Sequence, residues 1–92
     1  MLNPELSNQF KRDYGLLVRR GYDIAKLDAV IVCLLNQTPL EPRHRDHLLK
    51  GNWRGYRSCH IADDWVLVYL IDGDRLKLLL SRTGTHVDVY GV

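Results

Sequence analysis

A chain of 92 residues with 46% apolar and 26% charged side chains has the make-up of one small globular domain, residues 1–92, built round a single core. No apolar run approaches the ~20 residues of a membrane helix, and the start Met-Leu-Asn-Pro-Glu-Leu lacks the basic segment and apolar stretch of a secretory signal, so a cytoplasmic protein is expected. The net charge of +2 conceals an asymmetry: residues 1–57 carry ten Lys/Arg against six Asp/Glu, and residues 58–92 carry three against five.

In chain order, the first residues predict at most a short edge strand, because Pro4 cannot donate a ladder hydrogen bond. Ser7 is suited to cap a helix reaching Arg20, with Phe10, Tyr14 and Leu17 on one apolar stripe and Gly21 at its end. Asp23 then opens a second helix, from Ile24 to Asn36, whose apolar face is Leu27, Val30, Ile31, Leu34 and Leu35. The short link makes the two an antiparallel hairpin. Pro39 and Pro42 end the helical part.

The next stretch, Arg43 to Arg57, holds five cations against the single acid Asp46, and predicts a loop with a short strand ending at Leu48-Leu49. Its charge suits RNA, an acidic protein partner, or simply solvent. From Tyr56 the period becomes two, with Tyr56, Ser58, His60 and Ala62 on one face and Arg57, Cys59 and Ile61 on the other. Asp63-Asp64 reads as a turn, Trp65 to Ile71 as a strand covered on both faces, and Asp72-Gly73 as a hairpin leading into a strand from Arg75 to Arg82. Cys33 and Cys59 have no framework spacing and read as reduced, partly buried thiols. Helices first and an antiparallel meander afterwards make an α+β fold, with the helices on one face of a small sheet.

A three-strand meander brings the end of its first strand, the start of its second and the end of its third to one end of the sheet. That gathers His60, Asp64 and Trp65 with Arg82-Thr83-Gly84-Thr85-His86, and adds His47 if the preceding short strand pairs beside the meander. Imidazoles transfer protons near neutrality and a guanidinium holds phosphate oxygens, so the set could cleave RNA by attack of a 2′-hydroxyl on the adjoining phosphate. Arg82 shares parity with Leu76, Leu78 and Leu80, so this reading requires a bulge or the strand's end to turn it from the leucine face. His44, His47, His60 and Asp64 lack a recognised zinc spacing, and no nucleotide-binding glycine loop or nucleophile elbow is present.

The segments Arg45-Asp46-His47-Leu48-Leu49-Lys50-Gly51-Asn52-Trp53-Arg54-Gly55-Tyr56-Arg57, His60 with Asp64-Trp65, and Arg82 to His86 resemble the YafQ branch of the RelE/ParE toxin superfamily. Gln9-Phe10-Lys11-Arg12-Asp13 and Arg20-Gly21-Tyr22-Asp23 extend the likeness over nearly the whole chain. The resemblance implies a RelE-like fold and a toxin that cuts mRNA in the ribosomal A site and is neutralised by a cognate antitoxin. The His/Asp/Arg set itself reads as a metal-free site that needs no cofactor. Carried over by motif, His86 would be the leading acid or base, His60 with Asp64 its counterpart, and Arg82 the phosphate ligand, with His47 as a further catalytic group. Trp65 and Tyr90 would position bases or support the site, while the charge of the basic segment, not the motif, offers Lys50, Arg54 and Arg57 as RNA contacts. Leu48 stands where the family often has Pro, and Tyr90 where it often has Phe. The competing readings are a ParE-like inhibitor of DNA gyrase that acts by binding, and a ribosome-binding module without catalysis. Neither needs His60, Asp64, Arg82 and His86 together.

Overall fold

A computed structural model describes residues 1–91; Val92, the last residue of the expected domain, lies outside them. Helix α1 spans Asn8–Arg19 and α2 spans Ile24–Leu35. Strand β1 is Asn3–Leu6, β2 His47–Leu48, β3 Arg57–Ala62, β4 Trp65–Asp72 and β5 Lys77–Thr85, and a last helix, α3, covers His86–Tyr90. The five strands form one sheet in the order β1-β5-β4-β3-β2. All neighbours are antiparallel except β1, which lies parallel to β5 at the edge where its proline costs least.

Ser7 caps α1 as its position predicts, its Oγ accepting from the Phe10 N–H at 2.9 Å. The same hydroxyl donates to the Ser81 carbonyl at 2.7 Å, which ties the start of α1 to β5. Phe10 and Leu17 of α1 and Leu27, Val30 and Leu34 of α2 pack on Cys59, Ile61, Leu67, Tyr69, Leu78 and Leu80 of the sheet. Because side chains alternate along a strand, Val66 and Val68 of β4 emerge on the opposite face. There Val89 of α3 covers them, flanked by Leu49, Trp53, Tyr56 and Tyr90. β4 is therefore covered on both sides, as its unbroken apolar run requires.

The structure departs from the sequence reading around β5. The turn after Asp72 continues through Leu76, which has a left-handed φ of 55°, with the Arg75 N–H bonded to the Asp72 carboxylate at 3.2 Å. The strand thus begins at Lys77, and it runs on through the whole Arg82–Thr85 motif rather than ending at Arg82. Helix α3 is an addition. Thr85 and Asp88 form a reciprocal capping box that opens it, and Gly91 closes it.

Candidate active site at the sheet face under α3

Strand register sets the site. Val68 pairs with Arg82 but Tyr69 pairs with Leu80, which leaves Ser81 as an extra residue in β5. This bulge reverses parity, so Arg82 leaves the leucine face and shares the face of Val68. His47 pairs with Ser58 and Ser58 with Val68, so His47, Ser58, Val68 and Arg82 form one cross-strand row. By ordinary strand spacing that row is about 14 Å from end to end. His60 pairs with Val66 and Val66 with Gly84 in the next row on the same face. The short strand β2 therefore supplies the pairing that His47 needed.

Helix α3 lies over this face. The His86 N–H donates to the Asp64 carbonyl at 3.1 Å, and the His86 ring, which is exposed, stands 4.7 Å from the Tyr90 ring. The Nδ1–H of His60 donates to the Asp63 carbonyl at 3.4 Å, so adjacent carbonyls of one turn hold the histidines of β3 and α3. The Nδ1–H of His47 donates to the Arg45 carbonyl at 2.7 Å. A neutral imidazole so bonded keeps its lone pair on Nε2, the atom free to take a proton. His44 is buried, and its Nδ1–H donates to the His60 carbonyl at 2.6 Å, so it braces β3 from beneath.

Arg82 is held from two sides. Its Nε and Nη2 donate to Asp13 of α1 at 2.8 and 3.3 Å, and Nη2 also donates to the Asp88 carbonyl of α3 at 3.1 Å. Asp88 accepts from the Thr85 N–H at 3.3 Å and from Arg20 at 3.1 Å. Burial works against its ionised form, but the Thr85 N–H and hydroxyl and the Arg20 charge outweigh that, so its carboxyl sits below the usual range.

Several expected contacts are not made. Trp65 is 5% exposed, on the helix side of the sheet, with its Nε1–H on the Thr83 hydroxyl at 2.9 Å and its ring edge-on to Tyr22. It cannot stack on a base; it supports the strand that carries Arg82. The Asp64 carboxylate makes no hydrogen bond to His60, and this residue enters the site through its backbone carbonyl. Arg57 has the parity of Tyr69 and is paired with Asp46 at 3.2 Å, so its charge is already met. Asp46 also accepts the Tyr69 hydroxyl. Burial and that carboxylate push the Tyr69 phenol up, and the same two causes push the Cys59 thiol up to about 12. Lys50 and Arg54 are exposed and form no ion pair among the described residues. The Tyr90 hydroxyl donates to Ser58 at 3.0 Å, which anchors α3 at the middle of the row. Also among the described residues, no three His, Cys, Asp or Glu side chains gather closely enough to hold a metal ion.

Sequence reasoning missed Asp13, Ser58 and Asp88. Asp88 had a local signal, since Thr85 followed three residues later by an acid is a helix-start pattern. Ser58 and Asp13 act over long separations in sequence and had none.

The family model for "Bacterial toxin of type II toxin-antitoxin system, YafQ" matches residues 2–91. The mRNA interferase toxin YafQ of Escherichia coli K12 is 41% identical over 88 residues, spanning 95% of this chain and 94% of that one. The fold is similar to the toxin in the crystal structure of the E. coli DinJ–YafQ toxin–antitoxin complex, with a TM-score of 0.89 at 37% identity over 98% of both chains. It is also similar to a metal-bound toxin from Helicobacter pylori, with a TM-score of 0.92 at 38% identity, covering 98% of this chain and 100% of that one.

Proposed function

This chain belongs to the YafQ family of bacterial toxins from type II toxin–antitoxin systems, and from that premise we propose that it is a cytoplasmic, ribosome-dependent endoribonuclease that cuts mRNA in the A site. The observation that carries the reading is the tethering of His60 and His86 to adjacent carbonyls of the Asp63–Asp64 turn, on the sheet face that Arg82 also joins.

In the proposed reaction one of these imidazoles takes the proton of the ribose 2′-hydroxyl. The freed oxygen attacks the neighbouring phosphorus, the P–O5′ bond breaks, and the other imidazole protonates the departing 5′-oxygen. The products are a 2′,3′-cyclic phosphate and a 5′-hydroxyl end. Arg82 meets the charge that builds on the phosphate. Tyr90 and Ser58 hold α3, and so His86, over the row. Lys50 and Arg54 supply sequence-independent attraction to RNA backbone. His47, with Nε2 free at the far end of the row, is a second base for the 2′-hydroxyl. In this reading the imidazoles carry both proton transfers and no step is routed through a metal ion. A cognate antitoxin, as DinJ is for the E. coli relative, is the proposed protein partner.

Purified protein added to programmed ribosomes is expected to yield mRNA ends bearing 2′,3′-cyclic phosphate, with chelator added beyond the magnesium the ribosomes require. His86→Ala should lower the rate by about 10²–10⁴. Equal cleavage by both proteins would remove His86 from the chemistry, and a wild type silent on every codon would end the ribonuclease reading.

A further inference from the structure

Asp13 is out of character on its helix. It lies on the buried stripe of α1 between Phe10 and Leu17, and only 8% of it is exposed. A carboxylate in such a position is costly unless fully paired. Its oxygens accept from Arg82 Nε at 2.8 Å, Arg82 Nη2 at 3.3 Å, the Thr83 N–H at 3.2 Å and Gln9 Nε2 at 3.0 Å. The acid–base steps above make no use of it.

Its surroundings fix it in place. β1 pairs with β5 only as far as Leu80, and beyond that point α1 takes over the outer edge of β5. Ser7 pins that arrangement, its N–H on the Leu80 carbonyl at 3.0 Å and its hydroxyl on the carbonyl of the bulged Ser81 at 2.7 Å. The helix therefore carries Asp13 to the residue that the bulge has just redirected.

The effect on Arg82 follows from counting donors. A guanidinium has five N–H groups in a rigid plane. Nε and both Nη2 hydrogens are taken by Asp13 and the Asp88 carbonyl. The two hydrogens on Nη1 have no partner among the described residues and lie in the same fixed plane.

We propose that Asp13 is a positioning residue for mRNA cleavage: by gripping the Nε/Nη2 edge of Arg82 from α1, it presents Nη1 to the scissile phosphate. This role rests on the ribonuclease reading above.

Single-turnover cleavage of ribosome-bound mRNA by wild type, Asp13→Asn, Asp13→Glu, Arg82→Ala and the Asp13→Asn/Arg82→Ala double variant tests it, with rates normalised to the folded fraction from thermal melts. Asp13→Asn keeps the shape and weakens the grip. It should lower the rate about 10- to 100-fold, the usual effect of a misplaced catalytic group. The ribosome concentration giving half-maximal rate should not change. In the Arg82→Ala background the same substitution should cause no further loss, because its effect runs through that side chain. Asp13→Glu, which keeps the charge but displaces the guanidinium by one methylene, should also lose rate. Equal losses in both backgrounds, or an unchanged rate in folded Asp13→Asn, overturn the proposal. If Asp13→Asn does not fold, a full rate in Asp13→Glu overturns it instead. A silent wild type removes the ribonuclease reading and this role with it, whereas a cleaving wild type with an indifferent Asp13 removes this role alone.

Discussion

Gly84 provides the sharpest test of how α3 is held. Its φ of +152° lies where side chains are rarely tolerated, and a Cβ built there would sit 3.1 Å from the Asp88 Cβ and 3.3 Å from its Oδ2. Gly84→Ala must therefore absorb backbone strain and push away the residue that closes the capping box of α3. Strain of this kind costs about 1–3 kcal/mol, and loss of a cap about 1 kcal/mol. A combined cost of roughly 2–4 kcal/mol predicts a fall in melting temperature of about 10–25 °C for a domain of this size. Asp88 also takes Arg20 and gives its carbonyl to Arg82, so cleavage should fall further than stability alone dictates. The assay is a thermal melt beside ribosome-dependent cleavage at a temperature where the variant is folded. Gly73→Ala is the control, since nothing lies within 4 Å of a Cβ there and its φ is not in the strained range. If Gly84→Ala melts within about two degrees of wild type, well inside that estimate, then Asp88 does not hold α3 by this contact.

Two further outcomes follow from side chains whose roles the structure redefines. Trp65→Phe should destabilise the fold by about 1–3 kcal/mol in urea melts, through the lost bond to Thr83 and the void left beside Tyr22. Ribosome affinity should stay as it is; a selective loss of RNA binding would restore Trp65 as a stacking platform. Asp88, with its carboxyl held below the usual range, contributes stability that is present above the unfolded carboxylate value of about 3.9 and is lost as pH falls through its folded value. The stability gap between wild type and Asp88→Asn should thus close as pH drops from about 5 to about 2, and a gap that stays constant in urea melts would contradict the assignment.

How far the sequence could be read depended on the range of the interaction. Ser7, Gly21 and the apolar stripes of both helices were legible because caps and helical period are local. The alternation in β3 placed Ser58 and His60 opposite Cys59 and Ile61 correctly, for the same reason. The doubt over Arg82 was also legible, since parity demanded a bulge or the strand's end, but nothing in Leu80-Ser81-Arg82 says which of these applies or which residue is extra. In the folded chain the bulged residue is Ser81, whose carbonyl is bonded by Ser7, more than seventy residues earlier. Both readings of Trp65, positioning a base or supporting the site, stayed open because an aromatic beside such a motif looks the same in sequence whether it faces substrate or core. Only the pairing of Leu67 with Thr83, which puts Thr83 on the helix side, reveals the partner of its indole. Asp13 was hidden by its setting, an acid inside an otherwise apolar stripe whose meaning appears only when β5 arrives.

These long-range contacts explain how so short a helix holds His86 in place. α3 has five residues, far too few to be stable alone. It persists because the sheet grips it at separate points: Asp64 at the His86 N–H, Val66 and Val68 under Val89, Ser58 at Tyr90, and Arg82 at the Asp88 carbonyl. Arg20 and Asp13 extend the grip to α1, one through Asp88 and the other through Arg82. The helix face of the sheet thus carries the larger core, and the α3 face carries the candidate site. Arg82 bonds to one helix from each layer, through Asp13 and the Asp88 carbonyl, and its Nη1 hydrogens have no partner among the described residues. A change at α1 can therefore reach the site without touching either histidine, by turning that one planar group.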